Sequence, residues 1–181
     1  MKTFLKIIVL NTLLLVTSCV KDIDFNQAQD FEITPEVAVS LVKFNLDQND
    51  LVMGGIEIDS ISQSTVFTML DNTTAQEDLV KIDFQFEVVN TFNRDFEINL
   101  IFLDDNDIET YRISTLKINA QDEDFNYIET LVISDHQEFL LSRKIQVILR
   151  LLPSSDGSTI DPNDPRTFVF KSAGIFYFRI D

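Results

Sequence analysis

The feature that most constrains the fold is a strict alternation of apolar and polar side chains over residues 80–88. Successive side chains of a β-strand point to opposite faces, whereas an α-helix returns to the same face about every 3.6 residues. A helix would scatter these apolar residues around its axis. The pattern therefore predicts a strand with one face in a core and the other in solvent. The predicted core face consists of Val80, Ile82, Phe84, Phe86 and Val88.

The same period of two recurs along the chain from Glu36 onward. Residues 96–102 repeat it after a polar turn at 90–95, so we expect residues 79–103 to form an antiparallel hairpin. A bulge is predicted at Ser172-Ala173-Gly174, within the last strand. Further strands are predicted at 37–41, 56–58, 108–114, 127–133, 144–152 and 166–180.

Helical character is confined to two short stretches. Residues 47–53 are long enough for one or two turns, and Ser134 begins a motif that resembles a helix cap, with Gln137 at the third helical position. About seven to nine short strands without substantial helices between them predict an all-β fold, an antiparallel sandwich of immunoglobulin or fibronectin type. We expect residues 35–181 to form this single domain.

Composition excludes several classes of protein. The formal net charge is −16, which argues against nucleic-acid binding because that depends on Lys and Arg neutralising phosphates. One Cys and one His leave no material for a disulfide framework, a multi-cysteine zinc site or a histidine-rich metal centre. An apolar content of 45% with Gly 4 and Pro 4 is typical of a globular chain that can bury a sizeable core.

The N-terminus has the pattern of a signal peptide. Lys2 and Lys6 give it a positive start, and an apolar stretch follows over residues 7–16. This stretch is too short to span a bilayer, which needs about 20 residues. The segment 1–18 is therefore predicted to be an export signal that is removed from the mature protein.

The residues that end this segment, Val16-Thr17-Ser18-Cys19, resemble the lipobox of bacterial lipoprotein precursors. The resemblance implies cleavage before Cys19, a diacylglycerol on its thiol and usually a third acyl chain on the new N-terminus. A thiolate is a good nucleophile for thioether formation, and the alternative is a chance or buried cysteine. Two or three acyl chains hold a protein on a bilayer essentially permanently. We therefore expect a membrane-tethered protein without a transmembrane span.

Residues 19–34 are polar and acidic, which predicts a short tether between Cys19 and the domain. Loss of Lys2 and Lys6 with the signal peptide changes the formal charge from −16 to −18. The stretch Lys21-Asp22-Ile23-Asp24 resembles the acidic display signal of Bacteroidota-type lipoproteins, although Ile23 interrupts it. The resemblance implies an outer-membrane lipoprotein, with the cell surface favoured over the periplasmic side.

No catalytic residue is predicted. His136 is the one imidazole, Cys19 is assigned to the lipid, and the chain has no G-x-S-x-G motif for a nucleophilic serine. A solvated histidine on a short helix is therefore the simpler interpretation. A pair of carboxylates for glycoside hydrolysis depends on a separation in space that sequence does not encode.

Acidic turns are the remaining candidates for a metal site, because Ca²⁺ takes six to eight oxygen ligands. The spacing from Asp105 fails as an EF-hand, since Thr110 stands where Gly is needed and Leu116 where the closing acid belongs. A different calcium loop, or a turn in which Asp and Asn simply reverse the chain, are the two alternatives. The candidate ligands are Asp104, Asp105, Asp107 and Glu109, with residues 161–164 as a second acidic turn.

The aromatic residues favour a core over a binding platform. The chain has Phe 16 and Trp 0, and most Phe residues fall on apolar strand faces. Phe92 and Phe125 lie in predicted turns, either as exposed contacts or as anchors that pack back into the core. We therefore predict a non-enzymatic, lipid-anchored envelope protein that presents a β-sandwich to a protein partner or serves a surface assembly. The alternative is a glycan-binding or glycan-hydrolysing envelope domain, with Ca²⁺ as a possible cofactor.

Overall fold

The structure, a computed structural model, describes residues 34–154 and 156–179. The predicted signal peptide 1–18, Cys19 and the tether up to residue 33 lie outside the described residues.

The described chain is an all-β antiparallel sandwich, as predicted. One sheet has the strand order β1-β11-β5-β9, and the other has the order β4-β10-β6-β7, with β8 also pairing with β6. Among the described strands, β2 and β3 form a separate two-stranded sheet. In chain order the elements are β1 (Glu36–Asp47), β2 (Val52–Met53), β3 (Ile56–Glu57), β4 (Ser60–Val66), α1 (Thr73–Asp78), β5 (Leu79–Asn90), β6 (Phe96–Leu103), β7 (Glu109–Arg112), β8 (Leu116–Ile118), β9 (Phe125–Val132), the 3₁₀ helices Ile133–Asp135 and Gln137–Leu141, β10 (Lys144–Leu151) and β11 (Thr167–Phe178).

The predicted hairpin at 79–103 is wrong. Both strands form where the alternation placed them, but β5 pairs with β11 and β9, whereas β6 pairs with β10, β7 and β8. The turn at 90–95 therefore carries the chain across the core from one sheet to the other. A polar turn between two alternating segments marks a reversal of the chain, but it does not distinguish pairing within a sheet from crossing between sheets.

Phenylalanines from both sheets fill the core, as predicted. Phe96 of β6 and Phe168 of β11 face each other across the sandwich with ring centroids 4.5 Å apart. Phe92, in the crossing turn, is 2% exposed and packs edge-on against Phe96, so it is an anchor rather than an exposed contact. Phe125 is half-buried against the core. Each sheet thus uses its alternating apolar face to exclude water from a single core.

The predicted bulge lies on the opposite strand. Two residues of β1, Leu41 and Val42, oppose Ser172 of β11, so the extra residue belongs to β1. The buried Ser172 hydroxyl accepts a hydrogen bond from the Val42 N–H and donates one to the Val42 carbonyl, each at 3.0 Å. Gly174 does not form the bulge. A Cβ at this position would lie 2.7 Å from Cε2 of Phe176, so glycine leaves room for that ring.

The helical predictions are partly right. Residues 47–53 form a turn and the short strand β2, not a helix. The motif at Ser134 does lie in a helical region, but it forms two 3₁₀ helices without a side-chain cap. The helix α1 was not predicted; the Asn72 side chain caps it by accepting a hydrogen bond from the Ala75 N–H at 2.7 Å. In the part of the chain that the structure describes, no helix has the length and apolarity needed to cross a membrane.

Candidate functional site

The two long sides of the sandwich differ. On one side, β7 and β9 are joined by the Tyr111 hydroxyl, which donates to Oε1 of Glu129 at 2.8 Å. The backbone N–H of Ser114 donates to the other carboxylate oxygen of Glu129 at 2.9 Å. Burial, and then the hydrogen bond to Glu129, raise the pKa of Tyr111, so the phenol stays a donor. This side of the sandwich is closed.

The opposite side is open. Strands β1 and β4 are the edge strands of their sheets there, and they do not pair with each other. A solvent-open groove of about 200 Å³ runs between them. Its floor is the buried face of β10, formed by Ile145, Val147 and Leu149. Its walls include Phe44, Leu46 and Ile61, which are only half-buried because nothing among the described residues covers them. We call this groove and the adjoining strand β4 the open edge.

The backbone of β4 leaves hydrogen-bonding groups unpaired at the open edge. At the two ends of this pairing, the Leu151 N–H donates to the Asp59 carbonyl and the Phe67 N–H donates to the Arg143 carbonyl. Hydrogen-bonded pairs alternate with non-hydrogen-bonded pairs along an antiparallel ladder, so the odd-numbered residues of β4 are the ones that bond to β10. The N–H and C=O of the even-numbered residues therefore point outward. These residues are Ser60, Ser62, Ser64 and Val66, and within the described chain no backbone group of theirs has an outward partner.

Edge strands usually carry features that prevent pairing with other chains, such as charges, proline or a bulge. Strand β1 has both charges and the bulge opposite Ser172. Strand β4, of sequence SISQSTV, has no charge and no proline, and it pairs with β10 over seven consecutive residues without a register shift. Its terminal Val66 is 73% exposed. Strand β4 is therefore the unprotected edge of the domain.

The predicted calcium turn is held by its own hydrogen bonds. Oδ1 of Asp104 accepts from the backbone N–H of Ile108 and of Asn106, each at 2.8 Å. These bonds, the one from Ile108 first, lower the pKa of Asp104. Asp107 adopts a left-handed backbone with φ of 62°, which Asp tolerates in tight turns. The Asp104 carboxylate thus has the structural role of reversing the chain between β6 and β7.

The other candidate ligands face basic partners. Asp107 lies 2.7 Å from Nζ of Lys144, and this contact raises the pKa of the lysine. Glu109 pairs with Arg112 at 2.5 Å. Asp105 is the exception, because its carboxylate has no hydrogen bond or ion pair among the described residues. Over residues 34–154 and 156–179, no group of three or more acidic, histidine or cysteine side chains is arranged to hold a metal ion. Calcium binding by this turn stays a prediction that the geometry does not favour.

The second acidic turn is built in the same way. Oδ1 of Asp161 accepts from the Asn163 N–H at 2.8 Å, and Asp164 pairs with Arg166 at 2.9 Å.

His136 connects the two 3₁₀ helices, and its side chain is 44% exposed. Its ring lies edge-on to Tyr111, and its Nδ1 lies 3.6 Å from Oε1 of Glu138. Within residues 34–154 and 156–179, no serine or threonine hydroxyl is hydrogen-bonded to this imidazole.

A charged cluster on the outer face of the first sheet was not predicted. Oδ2 of Asp83 accepts from Nζ of Lys81 at 2.9 Å, and Oδ1 accepts from the Thr130 hydroxyl at 2.7 Å. Lys81 also lies 3.9 Å from the centre of the Tyr177 ring. Partial burial opposes ionisation of Asp83, but the hydrogen bonds from Thr130, Lys81 and Tyr177 outweigh it and lower the pKa. The residues come from β5, β9 and β11, so only the strand order brings them together.

The open edge was also missed by sequence reasoning. Two weak signals for it exist in residues 60–66: an uncharged stretch in a strongly acidic chain, and serine or threonine where a buried strand would carry aliphatic residues. Neither signal shows that the strand lies at an edge, because that depends on which strands pair.

No protein-family model and no curated protein matches the sequence. Among solved structures, the fold is similar to that of a protein from Parabacteroides distasonis described as secreted, with a TM-score of 0.46 and 15% identity over 64% of this chain and 37% of that one. It is also similar to VP2 of infectious bursal disease virus, with a TM-score of 0.42 and 8% identity over 82% of this chain and 33% of that one. The chain thus spans about a third of the length of each protein. At these scores nothing about function follows from the likeness.

Proposed function

We propose that this chain is a non-enzymatic lipoprotein of the bacterial cell envelope, and that its β-sandwich binds protein through the open edge. The observation that carries the binding role is the combination of an apolar groove with the unpaired, uncharged strand β4. An exposed strand edge offers main-chain hydrogen bonds to a partner, and the groove beside it offers apolar burial.

The proposed location rests on the N-terminal sequence. Residues 16–19 supply the lipobox pattern, and residues 19–34 supply a polar tether. In this arrangement residues 1–18 are removed, the lipid on Cys19 holds the protein at the outer membrane, and the domain of residues 35–181 stands off the bilayer. The acidic stretch behind Cys19 supports display on the cell surface over the periplasmic side.

Binding is favoured over hydrolysis by the lining of the groove. The acid and base of a glycosidase are two carboxyl groups about 5–9.5 Å apart across the substrate. Lys43 is the one ionisable residue among those that line the groove, and the other polar lining residues are amides and hydroxyls. The groove therefore has the apolar and uncharged polar character of an interaction surface. A glycan-hydrolysing role gains no support from it.

The anchor is tested with Cys19→Ala, with Ser18→Ala as the matched control because alanine is also small. Both full-length variants are expressed in a bacterial envelope and labelled metabolically with a palmitate analogue. The control should be labelled and sediment with membranes, whereas Cys19→Ala should lose the label and leave the membrane fraction or remain unprocessed. A Cys19→Ala protein that is still processed and labelled would refute the anchor.

The binding role is tested by a photo-crosslinking amino acid placed in intact cells at Gln63 of β4 or, as the control, at Asn126 of β9 on the closed side. Both positions are exposed and lie on edge strands. Crosslinked products should form at position 63 in at least about tenfold excess over position 126. Equal yields, or no product at position 63, would contradict binding through the open edge.

A further inference from the structure

We propose that the partner at the open edge is a second copy of this chain, and that the two β4 strands pair antiparallel across a twofold axis at Gln63. The inference rests on the proposed function, because it uses the same edge.

The first argument is register. A twofold axis at Gln63 places Ser62 opposite Ser64 of the partner subunit, and Ser60 opposite Val66 of the partner subunit. These are the residues whose N–H and C=O point outward, so all of them become hydrogen-bonded pairs at once. The strand is regular over all seven residues, so no bulge interrupts the new ladder. A single axis therefore satisfies the whole unpaired edge of both copies.

The second argument is charge. The full chain carries a formal charge of −16, so two copies repel each other over most approaches. Strand β4 carries no charged residue, and the twofold pairing places no charged β4 side chain opposite another. Pairing through β4 itself thus brings no like charges of that strand into direct contact. An acidic domain with a neutral, regular edge is suited to pairing with itself.

The third argument is the groove. Side chains of Ile61, Gln63 and Thr65 lie on the inner face of β4, above the groove, because their partners on β10 face the core. Pairing across the axis places the grooves of the two copies side by side along the same inner face. The half-buried Phe44 and Leu46 of each copy then border a shared apolar interior. Their burial adds to the hydrogen bonds of the ladder.

The size of this contact sets the expected affinity. Seven residues of strand extend about 24 Å, and two packed sheets are about 10 Å apart, so the edge offers roughly 240 Å² of footprint before side chains are counted. A stable interface buries about 800 Å² per partner. The dimer should therefore be weak in dilute solution. Attachment of both copies to one membrane raises their effective concentration and favours pairing.

The test is a disulfide at the axis. Residues that face each other across an antiparallel ladder in a non-hydrogen-bonded pair have Cα atoms about 4.5 Å apart, within the range of a disulfide. Gln63 occupies this position on the axis. The full-length Gln63→Cys protein, anchored in its membrane, should form a disulfide-linked product of twice the monomer mass under mild oxidation. Ser60→Cys is the matched control, because its own counterpart lies about 20 Å away along the ladder.

We expect the dimer yield of Gln63→Cys to exceed that of Ser60→Cys, and that of the wild type with its single Cys19, by at least about tenfold. Adding Ser62→Pro removes one outward N–H without removing a bond to β10 and should reduce the yield at least about tenfold. Urea unfolding of that double variant, compared with Gln63→Cys, is the control for folding, and both should show a cooperative transition.

Equal dimer yields at positions 60 and 63 would overturn the proposal, as would a yield that Ser62→Pro leaves unchanged. A crosslinked product of any other mass would also overturn it, while leaving the binding role of the open edge intact. The measurement is repeated in Cys19→Ala with the protein concentrated. If the Cys19→Ala protein forms the dimer when concentrated but not when dilute, membrane attachment is supported as the factor that favours pairing. The crosslink at position 63 does not depend on the lipid, so failure of the anchor test would leave the crosslink result valid.

Discussion

Asn90 at the crossing turn gives a sharp test of how the two sheets are held together. Its side chain is fully buried, and Nδ2 donates to the Arg94 carbonyl at 2.9 Å and to the Asn119 carbonyl at 2.7 Å. Oδ1 accepts from the Phe92 N–H at 3.0 Å. The side chain thus hydrogen-bonds to backbone groups of the turn, and it also joins the turn to the segment after β8. We predict that Asn90→Asp is strongly destabilising, although the two side chains have nearly the same shape.

The magnitude follows from the partners. In Asn90→Asp one oxygen still accepts from Phe92, but the other faces the Arg94 carbonyl, which loses its donor, and the Asn119 carbonyl, which keeps only the hydrogen bond from the Asp122 N–H at 3.3 Å. Each buried group left unpaired costs about 1–3 kcal/mol, and the buried carboxylate adds a desolvation penalty. We expect a loss of about 4–6 kcal/mol in the free energy of unfolding at pH 7, a large part of the 5–15 kcal/mol that stabilises a typical domain.

The loss should depend on pH with a definite sign. Burial and the facing carbonyls raise the folded pKa of the new carboxyl above its unfolded value of about 3.9. The variant is therefore most destabilised above the folded pKa, and it regains stability as pH falls, by about 1.4 kcal/mol per pH unit between the two values. If the folded pKa exceeds 7, about 2.7 kcal/mol returns between pH 7 and pH 5.

The assay is urea unfolding of the full-length protein at both pH values. Asn45→Asp is the matched control, because it makes the same chemical change at an exposed position of β1. A loss below about 1 kcal/mol for Asn90→Asp, or one that stays the same from pH 7 to pH 5, would refute the reasoning.

Three further predictions concern packing and charge. Arg94→Met should cost about 3 kcal/mol and lower the melting temperature by about 6–12 °C. The 6%-exposed Arg94 bonds to the Leu152 carbonyl and to Glu57, and its loss leaves the partly buried Glu57 carboxylate with the Ile160 N–H but without a positive partner. A fall below about 2 °C would contradict this prediction. Gly174→Ala should cost about 1–3 kcal/mol in urea unfolding through the clash with Phe176, and unchanged stability would show that the ring moves freely. The pKa of Asp83 is lowered in the folded state, so its contribution to the free energy of unfolding is present above its unfolded pKa and is lost as pH falls through the folded pKa. The stability of Asp83→Asn should therefore fall less steeply than that of the wild type from about pH 5 to about pH 2. Parallel curves of stability against pH would contradict this.

The long strands other than β4 were predictable because each leaves a local period in the sequence. Residues 80–88 and 96–102 both became strands with the expected faces in the core, except that the register of β5 shifts at its start, so that Leu79 is buried there and the predicted Val80 is not. Strand β3 lies within the predicted segment 56–58, whereas β2 and β8 have two and three residues, too few for any period to show. Burial of Phe92 was predictable as one of two alternatives, since a bulky aromatic in a turn is often an anchor.

What could not be predicted depends on pairing between distant segments. The reversal at 90–95 is visible in the sequence. Its path across the core is not, because it depends on the later strands: β10 pairs with β6 and β11 pairs with β5, so β5 and β6 do not pair with each other. The open edge exists only because β4 and β1 end up last in their sheets. The cluster around Asp83 depends in the same way on the order of β5, β9 and β11.

The pairing of β1 with β11 has a consequence for when the protein can fold. The first and last strands lie side by side, and β11 also separates β1 from β5 in the sheet. A chain that emerges N-terminus first from a ribosome or a translocation channel cannot complete this sheet until residues 167–178 have appeared. Contacts this distant in sequence make folding slow, and unpaired strands stay exposed meanwhile. The proposed export would therefore deliver an unfinished chain, whose folding would be completed on the far side of the membrane.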